Sequence, residues 1–177
     1  MNRRLVVLSL VACLVVGLTL PATVQAADPL ARTQLTKTVA MAKQWVPDAV
    51  LTSISSIMVN KDGSGKQWLH SFYSPKTKRY MIITVKANSI DTSEVRTGFA
   101  GPIGEDFIDS DKAMAIAKKS GLKGSSYSMG LNMMGAAGMN SSPVWSVNGG
   151  FDKGDVSVML EAKTGKVLRT EVMKGFD

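Results

Sequence analysis

Val156-Ser157-Val158-Met159-Leu160-Glu161, followed by Ala162-Lys163-Thr164-Gly165-Lys166 and then Val167-Leu168, reads as a β-hairpin. Val156, Val158 and Leu160 fall on one face of an extended chain and Ser157 and Glu161 on the other, the period of a half-buried strand. Lys163-Thr164-Gly165-Lys166 is a turn between strands expected at 155–162 and 167–173. Upstream, strands are expected near 126–133 and 144–148. Before them Asp109-Ser110-Asp111 opens a helix through Ala113, Ala115, Ile116 and Ala117, closed by Gly121. Acidic residues at a helix start cap free N–H groups and complement the helix dipole.

The same order occurs in the first half. A helix is expected within 29–45 from the spacing of Leu30, Leu35, Val39 and Ala42, stopped by Pro47. Strands follow at Ala49–Val59, Gln67–Tyr73 and Arg79–Val85, with a weaker one at Ser93–Gly98, and Gly98–Gly104 is a Gly/Pro linker. A shift of 77 residues places Trp68 on Trp145, and a shift of 75 places Ala42-Lys43 on Ala117-Lys118. The expected fold is α+β, with two tandem cystatin-like units, each a helix packed on an antiparallel sheet. They occupy 27–104 and 105–177, after a signal peptide at 1–26.

The second half resembles the PepSY domain family over 109–172. The resemblance rests on Asp111-Lys112-Ala113 with Ala115, Ile116 and Ala117, on the strand Pro143-Val144-Trp145-Ser146-Val147, and on the hairpin quoted above. Glu161 stands where the family usually has Asp, and the segment before Trp145 is unusually rich in Met and Gly. The first half follows the layout with weaker motifs. The resemblance implies cystatin-like units that bind, often with a peptidase as the target, and it carries no catalytic residues over. It rests on analogy of fold.

Residues 1–26 read as a leader. Arg3 and Arg4 precede an apolar stretch from Leu5 to Leu20, Pro21 ends it, and Val24-Gln25-Ala26 presents small residues for cleavage after Ala26. Leu10-Val11-Ala12-Cys13 imitates a lipobox, but Leu14-Val15-Val16 continue the apolar core where polar mature sequence should begin. The expected location is the bacterial periplasm or the secreted fraction, with no stable membrane anchor after cleavage. Past the leader stand 19 Lys and Arg against 14 Asp and Glu, and only four of the 19 are Arg. Lysines scattered singly read as a solvated surface and speak against nucleic acid, which favours Arg forks and stacking aromatics.

Chemistry is narrowed by what is scarce. Cys13, the one cysteine, lies in the leader, and His70 is the one histidine. A mature thiol nucleophile, a Cys/His zinc site and a His pair are therefore closed to it. His70 shares a strand face with Trp68 and Phe72, while Ser71 points the other way, so no Ser–His pair forms locally. His70 is expected to be structural. Glu105, Asp106, Asp109 and Asp111 lack EF-hand spacing, and Asp109 and Asp111 read as caps. Asp62-Gly63-Ser64-Gly65-Lys66 lacks the full spacing of a phosphate loop and reads as a turn.

The expectation is a non-catalytic exported binding module, without catalytic residues, cofactor or metal. The resemblance implies that it inhibits or regulates an envelope or secreted peptidase. Met129, Met133, Met134 and Trp145 are the candidate partner contacts, because Met offers an adaptable apolar surface. The alternative is a small-ligand or Cu(I) binder using the thioethers of the Met-rich segment 129–139. Trp68 and Trp145 otherwise read as core anchors.

Overall fold

A computed structural model describes residues 26–99, 101–134, 142–150 and 155–173. The expected leader up to Gln25, the Gly135–Gly138 loop and Met139 fall outside the described residues. Two short helices, α1 (Leu35–Trp45) and α2 (Ser110–Lys119), each precede four strands. These are β1 (Val50–Val59), β2 (Gln67–Ser74), β3 (Arg79–Lys86) and β4 (Ile90–Val95), then β5 (Ser126–Met134), β6 (Ser142–Gly150), β7 (Asp155–Glu161) and β8 (Val167–Met173).

All eight strands form one antiparallel sheet in the order β4-β3-β2-β1-β5-β6-β7-β8. This corrects the expected architecture. The chain is mostly β and does not consist of two tandem cystatin-like helix-on-sheet units. The first strands of the two halves pair directly, with Ile54 opposite Leu131 and Ser55 opposite Gly130. The pairing removes two edges that separate sheets would expose, together with their unbonded N–H and C=O groups.

Both helices lie on the same face of this sheet and share one core. α1 buries Leu35, Thr38 and Ala42; α2 buries Ser110, Ala113, Met114 and Ala117. Both sets recur every three or four residues, the stripe of a helix lying on a layer. Across the middle, the rings of Trp68 on β2 and Trp145 on β6 meet edge to face with centroids 6.3 Å apart. Each indole N–H donates to a carbonyl in the segment leading to its own half's helix, Trp68 to Pro29 at 2.9 Å and Trp145 to Ile108 at 3.0 Å.

Side-chain ties join the two lead-in segments. Asp109 Oδ1 accepts from its neighbour Ser110 N–H at 2.7 Å and from Arg32 N–H at 3.0 Å. Ser110 Oγ accepts from Ala31 N–H at 3.0 Å. The Asn60–Gly65 turn presses on α2: Gly63 has φ +90°, and a Cβ there would lie 2.5 Å from the Ser110 carbonyl oxygen. Only glycine meets both demands cheaply.

Candidate contact surfaces

Alternation along the strands sends one set of side chains under the helices and the other to the opposite face. Trp68, His70 and Phe72, Ile83 and Val85, Met129 and Leu131, Trp145 and Val147, and Val158 and Leu160 are all buried on the helix side. The opposite face carries neither helix. The pairing registers align Ser71, Ser53 and Asn132 in one row across its centre, and Ser55, Gly130 and Ser146 in the next. A Cβ built on Gly130 meets nothing within 4 Å, so the face is open at its middle. Larger apolar residues flank this low floor, half-buried Leu69 and Ile82 on one side and half-buried Met159 beside buried Val144 on the other.

The candidate residues separate across the two faces. Met129 and Trp145 are buried on the helix side, and Met133 is partly buried and packed against the same core. Met134 is 45% exposed and alternation puts it on the uncovered face. Met129 and Met133 stand four residues apart on β5, roughly 13 Å at strand rise, so the strand does not gather these thioethers around a common point. Trp145 is enclosed by Trp68 and by Phe107, whose ring centroid is 6.2 Å away.

His70 is fully buried and bonded through both ring nitrogens. Its Nδ1 lies 2.9 Å from Thr38 Oγ1 and its Nε2 3.0 Å from the Ala31 carbonyl oxygen. A carbonyl only accepts, so Nε2 carries the proton, and the neutral ring accepts at Nδ1 a hydrogen bond from the Thr38 hydroxyl, for whose single hydrogen the Leu35 carbonyl, 2.9 Å away, competes. Burial pushes its pKa down to about 4, against a smaller upward pull from the Ala31 carbonyl. Its ring nitrogens are occupied by structural partners, as the strand register implied.

The acidic residues of 105–111 have separate duties. Asp109 caps α2. Asp106 pairs with Lys163 at 2.5 Å, and the hydrogen bond and charge of that lysine hold its carboxyl below the usual range. Among the described residues no three His, Cys, Asp or Glu side chains gather as a metal-binding group. A cleft between α1 and the 102–105 segment, lined by Val39, Lys43, Phe72 and Glu105 among others, encloses about 150 Å³, well under the 300–1,000 Å³ of typical ligand pockets.

The two sheet edges differ. On β4, Glu94 accepts from the Trp45 indole N–H at 2.7 Å and is ion-paired with Arg79, whose guanidinium lies 5.0 Å from the Trp45 ring centroid. The Trp45 bond first, then Arg79, hold the Glu94 carboxyl below its ordinary pKa. On β8, Leu168 is 50% and Val172 71% exposed. Matching Thr38 with Ala113 and Ala42 with Ala117 by burial puts Ser120 at the position of Trp45. Its hydroxyl turns back to the Ile116 carbonyl, 3.0 Å away. At this position the second helix therefore carries no large side chain. Sequence reasoning noticed both Trp68 and Trp145 but passed over Trp45; its lack of a counterpart at Ser120 was a readable signal.

No family model matches the chain, and no curated protein matches it. Among solved structures it is similar to a "putative lipoprotein" from Clostridium difficile 630, at 16% sequence identity and a TM-score of 0.51, over 78% of this chain and 91% of that one. The likeness is one of fold. Among the described residues no helix is long and apolar enough to cross a membrane.

Proposed function

We propose that this chain is an exported, non-catalytic binding module of the bacterial envelope that acts by contact on another envelope or secreted protein. The observation that carries this reading is the sheet face that carries neither helix among the described residues. Eight strands packed on a core on one side present a broad surface on the other, low and hydroxyl-bearing at the half-buried Ser55 and Ser146, open at Gly130, with Ser53 buried between its neighbours. Apolar flanks supply contact area, and the central hydroxyls and Asn132 supply hydrogen bonds that fix orientation, the usual division of labour in a protein interface. The leader at 1–26 supports export, and the description of the structural neighbour as a "putative lipoprotein" agrees with an envelope location. The PepSY resemblance of 109–172 directs the first choice of partner to peptidases.

The test is to titrate the purified exported protein against peptidases secreted by the same cell and to follow peptide hydrolysis, alongside capture of envelope proteins. Hydrolysis that slows and saturates near stoichiometric protein is the expected result. Gly130→Asp, which adds charge where there is room for it, should weaken the effect at least tenfold with an unchanged circular-dichroism spectrum. If no peptidase is slowed and no envelope protein is retained, the reading fails.

A further inference from the structure

We infer that β8 is a pairing edge for a second copy of this chain, joining two sheets into one sixteen-stranded sheet about a two-fold axis at Thr170. This stands apart from the partner reading above, because it uses the edge and not the uncovered face. β8 is the last strand of the sheet, so alternate N–H and C=O groups along it point away from β7. Protein edges of this kind are usually blunted by charge, proline or a covering element. At β4 that protection is present in Trp45 and its bonds to Glu94 and Arg79. Among the described residues no such side chain covers β8, which carries exposed Leu168 and Val172.

The order of side chains along β8 selects the occupant. Thr170 pairs with Val158 and Val172 with Val156, so both lie on the helix side; Arg169 and Glu171 pair with Met159 and Ser157 and lie on the uncovered side. The register slips between Val167 and Arg169, and alternation from Arg169 puts Leu168 on the helix side too. Antiparallel pairing of two β8 strands with like faces together requires the axis to pass through a residue. Centred on Arg169, it sets Arg169 against Arg169. Centred on Glu171, it sets Glu171 against Glu171. Centred on Thr170, it sets each Arg169 opposite Glu171 of the other copy, and each Leu168 opposite Val172.

Like charges directly opposite destabilise a sheet and opposite charges stabilise it, so one register is favoured and its neighbours are penalised. The arrangement is self-complementary, as a two-fold interface must be. Within each chain Arg169 and Glu171 already form an ion pair; pairing of copies exchanges these two pairs, one per copy, for two cross-strand pairs, so the charges set the register and the apolar Leu168–Val172 contacts and main-chain bonds supply the gain. β4 has no such order. Its charges, Asp91 and Glu94, are both acidic, and their cations Lys86 and Arg79 sit on the neighbouring strand.

Sedimentation equilibrium of the purified exported protein over a wide concentration range at low salt tests this. A reversible monomer–dimer equilibrium is expected. Arg169→Glu alone and Glu171→Arg alone should each weaken it tenfold or more. Mixing the two variants should restore a dimer of one chain of each, because both cross-strand pairs then join opposite charges. Leu168→Lys with Val172→Lys should leave monomer, with an unchanged circular-dichroism spectrum certifying the fold. A monomer at every concentration overturns the inference. So does a dimer indifferent to single charge reversal, or a mixture that fails to pair. The partner reading is unaffected by these results, since its readout is hydrolysis and its variant is on β5.

Discussion

The two outer strands of the sheet occupy matching places and are finished differently. β4 is closed by an aromatic from α1 and by ion pairs, whereas α2 has Ser120 at the position matching Trp45 and β8 leaves Leu168 and Val172 exposed. The interiors of the two halves differ as well. Taking Trp68 with Trp145, the buried Thr38–His70 pair of the first half corresponds to Ala113 and Val147 in the second. One half thus carries the polar core pair and the covered edge, and the other an apolar core and an open edge. Within a single sheet, protection of an edge is a property of one side chain on the adjacent helix, independent of strand order.

The comparison requires that the halves unfold as one body, and the largest effect tests this. Trp145→Ala empties the centre of the shared core and should cost about 3–5 kcal/mol. Denaturation followed by Trp fluorescence and by circular dichroism should give one coincident transition. Two separated transitions would break the comparison at its base.

The difference in core polarity predicts a pH effect confined to the first half. The folded-state pKa of His70 lies near 4, below its unfolded value of 6.5. Between those values the unfolded chain binds more protons, so stability is fully present above about pH 6.5 and falls as pH drops toward 4. The loss is about 3 kcal/mol over that window. Thr38→Ala with His70→Val, which copies the second half, should flatten this part of the profile in urea melts at a series of pH values. A profile unchanged by the double substitution would place the pH dependence elsewhere.

Trp45→Ala should make β4 resemble β8. It removes a stacked guanidinium, a hydrogen bond to a carboxylate and partly buried aromatic area, and should cost about 1–2 kcal/mol. The Glu94 carboxyl should move up toward its ordinary pKa, which side-chain carbon chemical shifts report. An unmoved Glu94 would mean that Arg79 alone holds it. The smallest effect belongs to Lys86→Ala. Its pair with Asp91, at 3.0 Å, is solvent-exposed, and such pairs contribute less than about 1 kcal/mol. A larger loss would make charge, more than Trp45, the protector of β4.

Most elements were legible in local sequence. Alternation located seven of the strands within a few residues, and Asp109 marked the start of α2, where it is the N-cap. β4 was legible only in part: the expected Ser93–Gly98 overlaps Ile90–Val95 at its end. Asp91, Thr92, Ser93 and Glu94 are all exposed there, so no apolar face announced the strand. The structural role of His70 followed from its place between Trp68 and Phe72. The candidate contacts were less legible, since richness in Met does not say which face a strand position occupies. One residue of register sends Met134 outward and Met133 toward the core.

By itself the sequence determined the kinds of element and their order, because helix and strand periodicities are set by neighbours within a few residues. It also bounded the chemistry, through a lone histidine and a lone leader cysteine. Only the tertiary structure decided that β1 pairs with β5. Ile54 and Leu131 lie 77 positions apart and meet in register, and their strands would show the same alternation in two separate sheets. Which strands are central and which two form the edges follow from that one pairing. Pairing across such a separation is selected by the removal of two edges and the burial of Trp68 against Trp145, a gain that exists only once both halves are folded together.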